Sequence, residues 1–195
     1  MKRRSLKAQN LAGTLPPELK RLTYLQTISL VGNRLTGSIP IEIGNISTLQ
    51  SLDITSNNFS GLPPELGNLT SIKKMLLSSN NFTGKLPETF ARLKTLTDFR
   101  VDDNHFSGKI PDFIQNWTNL TKLVIQASGL TGPIPSSISL LKELTDLMLR
   151  NCNLTGELPM NLADMTKLKY LDLSFNKLTG EIPSSFGNEN DLDYM

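Results

Sequence analysis

Apolar residues recur along this chain in a pattern that returns about every 24 residues. Residues 25–48 show one complete unit, which fits the form LxxLxLxxNxLTGxIPxxIGxLxx. Each unit opens with an alternation of apolar and polar residues, as in 168–173, and this period predicts a strand with one buried face. A glycine and a proline follow, and then come two spaced apolar residues such as Ile43 and Ile46. This order predicts a turn and a short helical or 3₁₀ return.

Prolines mark the repeat, because each stands 24 residues after the one before, with one exception of 23. They are Pro16, Pro40, Pro63, Pro87, Pro111, Pro135, Pro159 and Pro183. The short step lies between Pro40 and Pro63, yet Asn57 and Asn80 keep their places after full apolar alternations. We therefore expect the missing residue to be absorbed in the turn between Gly61 and Pro63, with the strands left in phase.

A period of this length is the sequence signature of a leucine-rich-repeat solenoid. We predict an α/β solenoid with short parallel β-strands on its concave face, and with turns and 3₁₀ or short helical segments on its convex face. Residues 1–195 are expected to form a single array of about eight units, with a degraded first copy. Terminal repeats normally carry polar caps, and both ends of this array lack them, so we expect a piece of a longer protein. The unit bounds are 1–24, 25–48, 49–71, 72–95, 96–119, 120–143, 144–167 and 168–191.

Composition narrows the class of protein. The net charge is only +2 and the basic residues are scattered, which argues against a nucleic-acid-binding protein. One cysteine excludes an internal disulfide framework. The sequence has no run of 18 apolar residues that could span a membrane. Its basic start, residues 1–5, has no apolar stretch after it, so the chain as written is not expected to carry an export signal.

N-glycosylation acceptor patterns, Asn-x-Ser/Thr, nevertheless indicate a secreted parent protein. Three of the seven fall inside the repeated Asn-x-Leu-Thr-Gly motif and follow from repetition alone, whereas four do not. We therefore expect a parent protein made for the secretory pathway. The candidate glycosylation sites are Asn45, Asn58, Asn68, Asn81, Asn116, Asn119 and Asn153.

One polar position follows each strand alternation and is filled mainly by asparagine. A buried amide must satisfy its donors and its acceptor. Stacked at the spacing of one unit, these side chains are expected to bond the backbone of neighbouring turns. The predicted ladder consists of Asn33, Asn57, Asn80, Asn104, Ser128, Cys152 and Asn176, with Gln9 in the degraded first unit.

The sequence gives little support for a catalytic or metal-binding site. The sequence has no kinase glycine-rich loop, His-Arg-Asp motif or Asp-Phe-Gly motif. Cys152 lacks a paired base, because the only histidine, His105, is two units away. Asp102 and Asp103 lie near His105, but their side chains are expected to diverge instead of holding a metal. We expect no enzyme, no cofactor and no metal site. We also expect Trp117 to lie in the core, because it occupies the place that Ile46, Leu69 and Leu93 fill in other units.

The solvent-facing strand positions change in character along the array. They are small and polar in the early units, charged in the middle, and aromatic or sulfur-containing near the end. Since exposed aromatics and arginines are the usual interface anchors, the candidate ligand contacts are Arg100, Met148, Arg150, Tyr170 and Phe175. At one strand position the charge alternates through Lys74, Asp98, Lys122 and Asp146, which predicts a cross-strand charge ladder.

The segments LTGSIP (35–40), LTGPIP (130–135) and LTGEIP (178–183) resemble the plant-specific class of extracellular leucine-rich repeats. That class forms the ectodomains of plant receptor-like kinases. Segments 110–135 and 171–185 are similar to the malectin-containing subfamily of these serine/threonine kinases. The resemblance implies a recognition module on the extracellular face of the plasma membrane, and attachment only through a downstream helix. It also implies an extracellular peptide, a cell-wall glycan or a co-receptor ectodomain as partner, and no nucleic acid.

Two other functions are compatible with the same repeats. A soluble cell-wall protein could inhibit a polygalacturonase-like enzyme, as polygalacturonase-inhibiting proteins with similar repeats do. A cytosolic scaffold is favoured only by the absent signal peptide. A membrane helix and kinase encoded downstream would exclude the inhibitor, and glycosylation on secretion would count against the scaffold.

Overall fold

The repeated units stack side by side, and their strands form one eight-stranded parallel sheet. The computed structural model describes residues 3–182, so the return of the last unit, with Pro183, and the chain end lie outside the described residues. Successive strands pair at an offset of one unit, as Leu123 does with Leu147. The strands are Arg3–Ser5, Thr27–Ser29, Ser51–Asp53, Lys74–Leu76, Asp98–Arg100, Lys122–Val124, Asp146–Met148 and Tyr170–Asp172. The predicted solenoid with parallel strands is confirmed.

On the other side of each unit from 1 to 7, a five-residue 3₁₀ helix returns the chain. Each helix begins directly after the recurring proline, at a position where a fixed φ and a missing N–H are tolerated. Pro40, for example, is extended, with φ −59° and ψ 133°, and its carbonyl accepts the N–H of Ile43 at 3.0 Å. The helices are Pro17–Arg21, Ile41–Asn45, Pro64–Asn68, Glu88–Arg92, Asp112–Asn116, Ser136–Leu140 and Met160–Asp164.

The Leu-Thr-Gly segments form a second set of parallel pairings, where the sequence pattern predicts only a turn. Extended residues stacked at one-unit spacing lie beside each other, so their free N–H and C=O groups pair across units. The strands concerned are Ala12–Gly13, Arg34–Ser38, Asn58–Gly61, Thr83–Gly84, His105–Phe106, Thr155–Glu157 and Lys177–Thr179. Isolated bridges join Lys109 to Thr131 and Gly132 to Leu154.

A continuous apolar core fills the space between the sheet and the helices. Within it the rings of Phe59, Phe82 and Phe106 stack from unit to unit, with centroids 6.5 and 6.0 Å apart. Trp117 is fully buried, as predicted, and its indole N–H donates to the carbonyl of Phe90 at 2.9 Å. That bond explains how the core accepts a polar indole where other units have an aliphatic side chain.

The asparagine side chains join neighbouring turns through their amides. Asn80 accepts the N–H of Phe59 at 3.0 Å, and its amide nitrogen donates to the carbonyls of Ile54 and Leu77, both at 3.1 Å. Asn33, Asn57, Asn104 and Asn176 make equivalent bonds. Each amide therefore satisfies backbone groups of its own unit and of the unit before it.

Two positions of this series carry smaller side chains. Ser128 is fully buried and accepts the N–H of Leu130 in its own unit at 3.3 Å. The Sγ of Cys152 donates to the carbonyl of Ile125 in the preceding unit at 3.2 Å. Burial raises the pKa of the Cys152 thiol, because a thiolate is poorly solvated among apolar neighbours.

The single 23-residue step is absorbed in the turn, as predicted. Leu52 and Met75 pair in register, so the sheet continues without interruption. The glycine of the Leu-Thr-Gly segment is left-handed in both neighbouring units, with φ 78° at Gly37 and at Gly84, whereas Gly61 is not. A Cβ built on Gly61 would meet the side-chain oxygen of Ser38. The shorter turn therefore presses against its neighbour, and only glycine fits there.

The residue before each ladder position is left-handed, a constraint that the sequence analysis missed. This conformation costs an L-residue about 1–2 kcal/mol, and small residues or Asn and Asp tolerate it best. Seven of the eight residues are of that kind and one is not. They are Ala8, Gly32, Ser56, Ser79, Asp103, Ala127, Asn151 and Phe175, with φ between 50° and 69°.

We expect Asn80→Ala to lower the free energy of unfolding by about 1–3 kcal/mol, because it leaves buried backbone groups without partners. The matched control is Asn81→Ala, at an exposed neighbouring position with no side-chain hydrogen bond in the described part of the chain. Its effect should stay within about 0.5 kcal/mol. Urea denaturation of the two variants measures both, and equal effects would contradict the proposed bridging role of Asn80.

We expect the Cys152 thiol to resist alkylation by iodoacetamide in the native chain at mildly alkaline pH, because it is 1% exposed and its pKa is raised. The same chain in guanidinium chloride should react fully, since unfolding exposes the thiol. Intact-mass spectrometry over time measures the difference. If the native chain is labelled completely and as fast as the denatured chain, the polar ladder is open at Cys152 and the prediction is wrong.

Candidate ligand-binding face

The solvent-facing side of the eight-stranded sheet, which we call the sheet face, carries three rows of side chains. Residues in register on parallel strands lie beside each other at about 4.8 Å. The first row is Arg3, Thr27, Ser51, Lys74, Asp98, Lys122, Asp146 and Tyr170. The second row is Ser5, Ser29, Asp53, Leu76, Arg100, Val124, Met148 and Asp172. The third, two residues further along each unit, is Lys7, Val31, Thr55, Ser78, Asp102, Gln126, Arg150 and Ser174.

Near its C-terminal end the sheet face exposes large side chains. The guanidinium carbon of Arg150 lies 4.6 Å from the ring centroid of Phe175, a cation–π contact. Phe175 is 71% exposed and Tyr170 is 41% exposed. Met148 is half-buried in the second row, between the rows of Tyr170 and Arg150. We call Met148, Arg150, Tyr170 and Phe175 the C-terminal patch.

Arg100 lies apart from this patch, because Asp98 holds its guanidinium. Nε and Nη2 of Arg100 each donate to one carboxylate oxygen of Asp98 at 2.8 Å, a bidentate ion pair. The hydrogen bonds that Arg100 donates to Asp98 raise the pKa of Arg100, and partial burial opposes that rise. Asp98 itself is buried. Two of the donors of Arg100 are therefore used within the fold, which sequence reasoning did not foresee.

The alternating charge row forms only in part. Lys122 and Asp146 make an ion pair of 2.7 Å, and the hydroxyl of Thr145 donates to the other Asp146 oxygen at 2.6 Å. Partial burial of Asp146 opposes its ionisation, but the bonds from Lys122 and Thr145 outweigh it and lower its pKa. Among residues 3–182, neither Lys74 nor Lys122 pairs with Asp98. The predicted continuous ladder is wrong there, because a rigid arginine fork on the same strand binds a carboxylate better than a neighbouring lysine.

A shallow groove of about 380 Å³ crosses the middle of the sheet face, beside Asp102. The hydroxyl of Ser78 donates to Asp102 at 2.5 Å. Burial raises the pKa of Asp102, while the bond from Ser78 opposes the rise. Asp103 and His105 are exposed. In the part of the chain that the structure describes, no three acidic, His or Cys side chains are placed to hold a metal ion.

None of the seven glycosylation acceptors lies in the three rows of the sheet face. Asn45, Asn68 and Asn116 are the last residues of 3₁₀ helices. The remaining acceptors, like Asn45 and Asn68, are exposed, whereas Asn116 is half-buried. Glycans at these positions would leave the sheet face open. Across residues 3–182 the structure holds no helix long and apolar enough to cross a membrane.

Two family models match the chain. One, described as a leucine-rich repeat region, matches residues 2–147, and the other, described as leucine rich repeat, matches residues 143–165 and 167–188. Both describe repeats of a binding fold and not a catalytic domain. A comparison with curated proteins finds no match.

Solved structures of plant receptors are similar over most of the chain. The plant peptide hormone receptor RGFR1, in complex with RGF2, has a TM-score of 0.91 and 37% identity, covering 94% of this chain and 30% of that one. The Arabidopsis receptor kinase HAESA, in complex with the peptide hormone IDA and the co-receptor SERK1, has a TM-score of 0.85 and 28% identity, covering 98% and 37%. A plant ice-binding protein has a TM-score of 0.75 and 26% identity, covering 100% and 70%.

The chain thus spans about a third of the length of these two receptor chains. Among residues 3–182, its sheet strands and 3₁₀ helices recur once per unit of the sequence, and the core residues lie between them. Because the first family model covers well over half of the chain, the chain belongs to the leucine-rich repeat family.

Proposed function

We propose that this chain is the recognition part of an extracellular leucine-rich-repeat receptor of plants, and that it binds a peptide or a co-receptor ectodomain through its sheet face. The observation that carries the proposal is Phe175, an exposed aromatic side chain in the left-handed conformation. The C-terminal patch around it supplies the contacts, and Arg100 contributes through the N–H groups that Asp98 leaves free.

The backbone at Phe175 is costly for the fold and without benefit to the core. Asn151 occupies the same position one unit earlier, with φ 54°, and is a residue type that tolerates it. A bulky residue kept in a strained conformation is a pointer to function. Because the Phe175 ring faces solvent and lies under Arg150, its use is on the surface.

The choice of a peptide or co-receptor as partner rests on the similar structures. RGFR1 and HAESA are described in complex with peptides, and HAESA also with a co-receptor. The similar ice-binding protein illustrates that the fold alone does not decide the ligand. No observation on the sheet face favours a cell-wall glycan or an inhibited enzyme over a peptide.

The parent protein, on this proposal, is a glycosylated receptor-like kinase at the plasma membrane, and this chain is a fragment of its ectodomain. The exposed acceptors away from the sheet face support glycosylation. The similarity of residues 110–135 and 171–185 to the malectin-containing subfamily stays a prediction, and residues 183–185 lie outside the described part of the chain.

We expect Phe175→Asn to weaken peptide binding by about thirtyfold, the scale of an interface hot spot of 2 kcal/mol. The probes are linear peptides selected from a displayed random library on the full chain, and isothermal titration measures their affinity. The matched control is Met160→Ala, which removes a side chain that is 74% exposed at the start of a 3₁₀ helix, away from the sheet face. Selected peptides that bind the Phe175 variant and the parent chain equally would refute the proposal.

The same substitution should leave the fold unharmed. We expect Phe175→Asn to keep or raise the free energy of unfolding, by up to about 1 kcal/mol, because Asn tolerates the left-handed backbone. The reverse change one unit earlier, Asn151→Phe, should destabilise the chain by about 1–2 kcal/mol. Urea denaturation measures both. A large loss of stability in Phe175→Asn would mean that the ring serves the fold and not a ligand.

A further inference from the structure

A second groove crosses the sheet face near its N-terminal end, at the opposite end from the C-terminal patch. Its volume is about 430 Å³. Cationic side chains from the first and fourth units line it, among them Arg3, Lys7, Lys73 and Lys74. Between them lie the hydroxyl groups of Thr27, Ser29 and Ser51. We call this the basic groove.

The positive charge of the basic groove is not neutralised by the fold. In residues 3–182 the ion pairs are Arg100 with Asp98, Lys122 with Asp146, and Lys167 with Glu143, and none of these side chains lines the groove. The lining contains no Asp or Glu. Lys73 and Lys74 are both exposed and adjacent in sequence, so their charges repel each other in the free protein. An anionic ligand would relieve that repulsion.

The floor of the basic groove holds a polar group that the fold leaves unused. Ser29 is 5% exposed, and its Oγ has no hydrogen-bond partner among the described residues. Buried hydroxyl groups are normally paired, because an unpaired one costs free energy. A bound ligand with amide and carboxylate groups, together with a small shift of the Ser29 rotamer, would supply the missing partner.

The spacing of the cations selects the shape of the ligand. Arg3 and Lys74 occupy the same row three strands apart, which is about 14 Å at 4.8 Å per strand. An extended peptide rises about 3.4 Å per residue, so acidic residues four positions apart span the same distance. No Phe, Tyr or Trp lines the groove, so it lacks the aromatic face on which a sugar ring would stack.

We propose that the basic groove binds an acidic segment of an extended peptide, with carboxylates at positions i and i+4 held by Arg3 and Lys7 at one end and by Lys73 and Lys74 at the other. This inference rests on the proposed function and adds to it the charge pattern of the peptide. Ser29, Thr27 and Ser51 bond the peptide between the two acidic positions.

The test uses the full chain and three fluorescein-labelled peptides whose binding is followed by fluorescence anisotropy. The matching probe is Glu-Glu-Ser-Ser-Glu-Glu. The control of equal charge is Ser-Glu-Glu-Glu-Glu-Ser, and the neutral control is Gln-Gln-Ser-Ser-Gln-Gln. We expect the matching probe to bind more tightly than both, and to lose affinity as salt is raised, because exposed charge pairs are screened.

The decisive variants are Lys73→Glu and Lys169→Glu. Both lysines are exposed, and they hold the same position in their units, directly before a strand, so each substitution changes the net charge equally. We expect Lys73→Glu to weaken binding of the matching probe about tenfold and Lys169→Glu to change it less than twofold. Equal effects of the two variants, or failure of the matching probe to bind the unsubstituted chain, would overturn the proposal.

A third arm separates a peptide from a uronate glycan, which carries the same carboxylate chemistry. If trigalacturonate binds the parent chain in a Lys73-dependent way and displaces the matching probe at lower concentration than unlabelled probe does, the peptide assignment is wrong. A result against the basic groove leaves the C-terminal patch intact, because the peptides selected for the patch depend on Phe175. Failure of the Phe175 test with a positive Lys73 test would instead reject the patch alone.

Discussion

The structure depends on the hydrogen bonds by which the backbone of one unit is satisfied by the neighbouring unit. A single unit cannot satisfy its own backbone, because its strand is only three residues long and its 3₁₀ helix five. The amide of Asn80 shows how the gap is closed, since it serves carbonyls of two successive units and one N–H at once. Such bonds have the right length only if successive units keep the same path, and this fixes the period of the sequence.

Because the interior is so constrained, most variation lies where it breaks no cross-unit bond, and Ser128 and Cys152 are the exceptions. The third unit lacks one residue in the turn at Gly61. Gly61 is not left-handed, unlike the equivalent Gly37 and Gly84, and it lies in tight contact with Ser38. The other free region is the sheet face, whose side chains point away from the core. There the units differ freely, from the basic groove at one end to the C-terminal patch at the other. The fold thus leaves the recognition surface open to change while the framework stays fixed.

The sequence predicted those features that depend on the 24-residue repeat of apolar residues. The strands, the 3₁₀ returns, the buried Trp117 and the absorbed deletion all follow from where apolar residues repeat. It missed the pairing of Arg100 with Asp98, because a cross-strand lysine and a same-strand arginine are equally near in sequence register and only geometry separates them. It also missed the left-handed backbone at Phe175, since the residue types at that position look unrelated until their φ angles are compared. The unusual feature of the candidate site was therefore visible in the sequence only as an exposed aromatic.

The two small side chains in the polar series, Ser128 and Cys152, have a consequence for how the array loses its structure. In a linear array, stability is roughly the sum of each unit and its contacts with the next one. Ser128 makes its side-chain bond within its own unit, and Cys152 contributes a thiol where Asn176 contributes a full amide. At the ladder position, the junctions between units 5 and 6 and between units 6 and 7 thus have fewer cross-unit hydrogen bonds than the junctions that an asparagine joins. We expect the ladder itself to open first at these two junctions. They lie between the basic groove and the C-terminal patch, so a ligand that contacted both would hold the two parts of the array together.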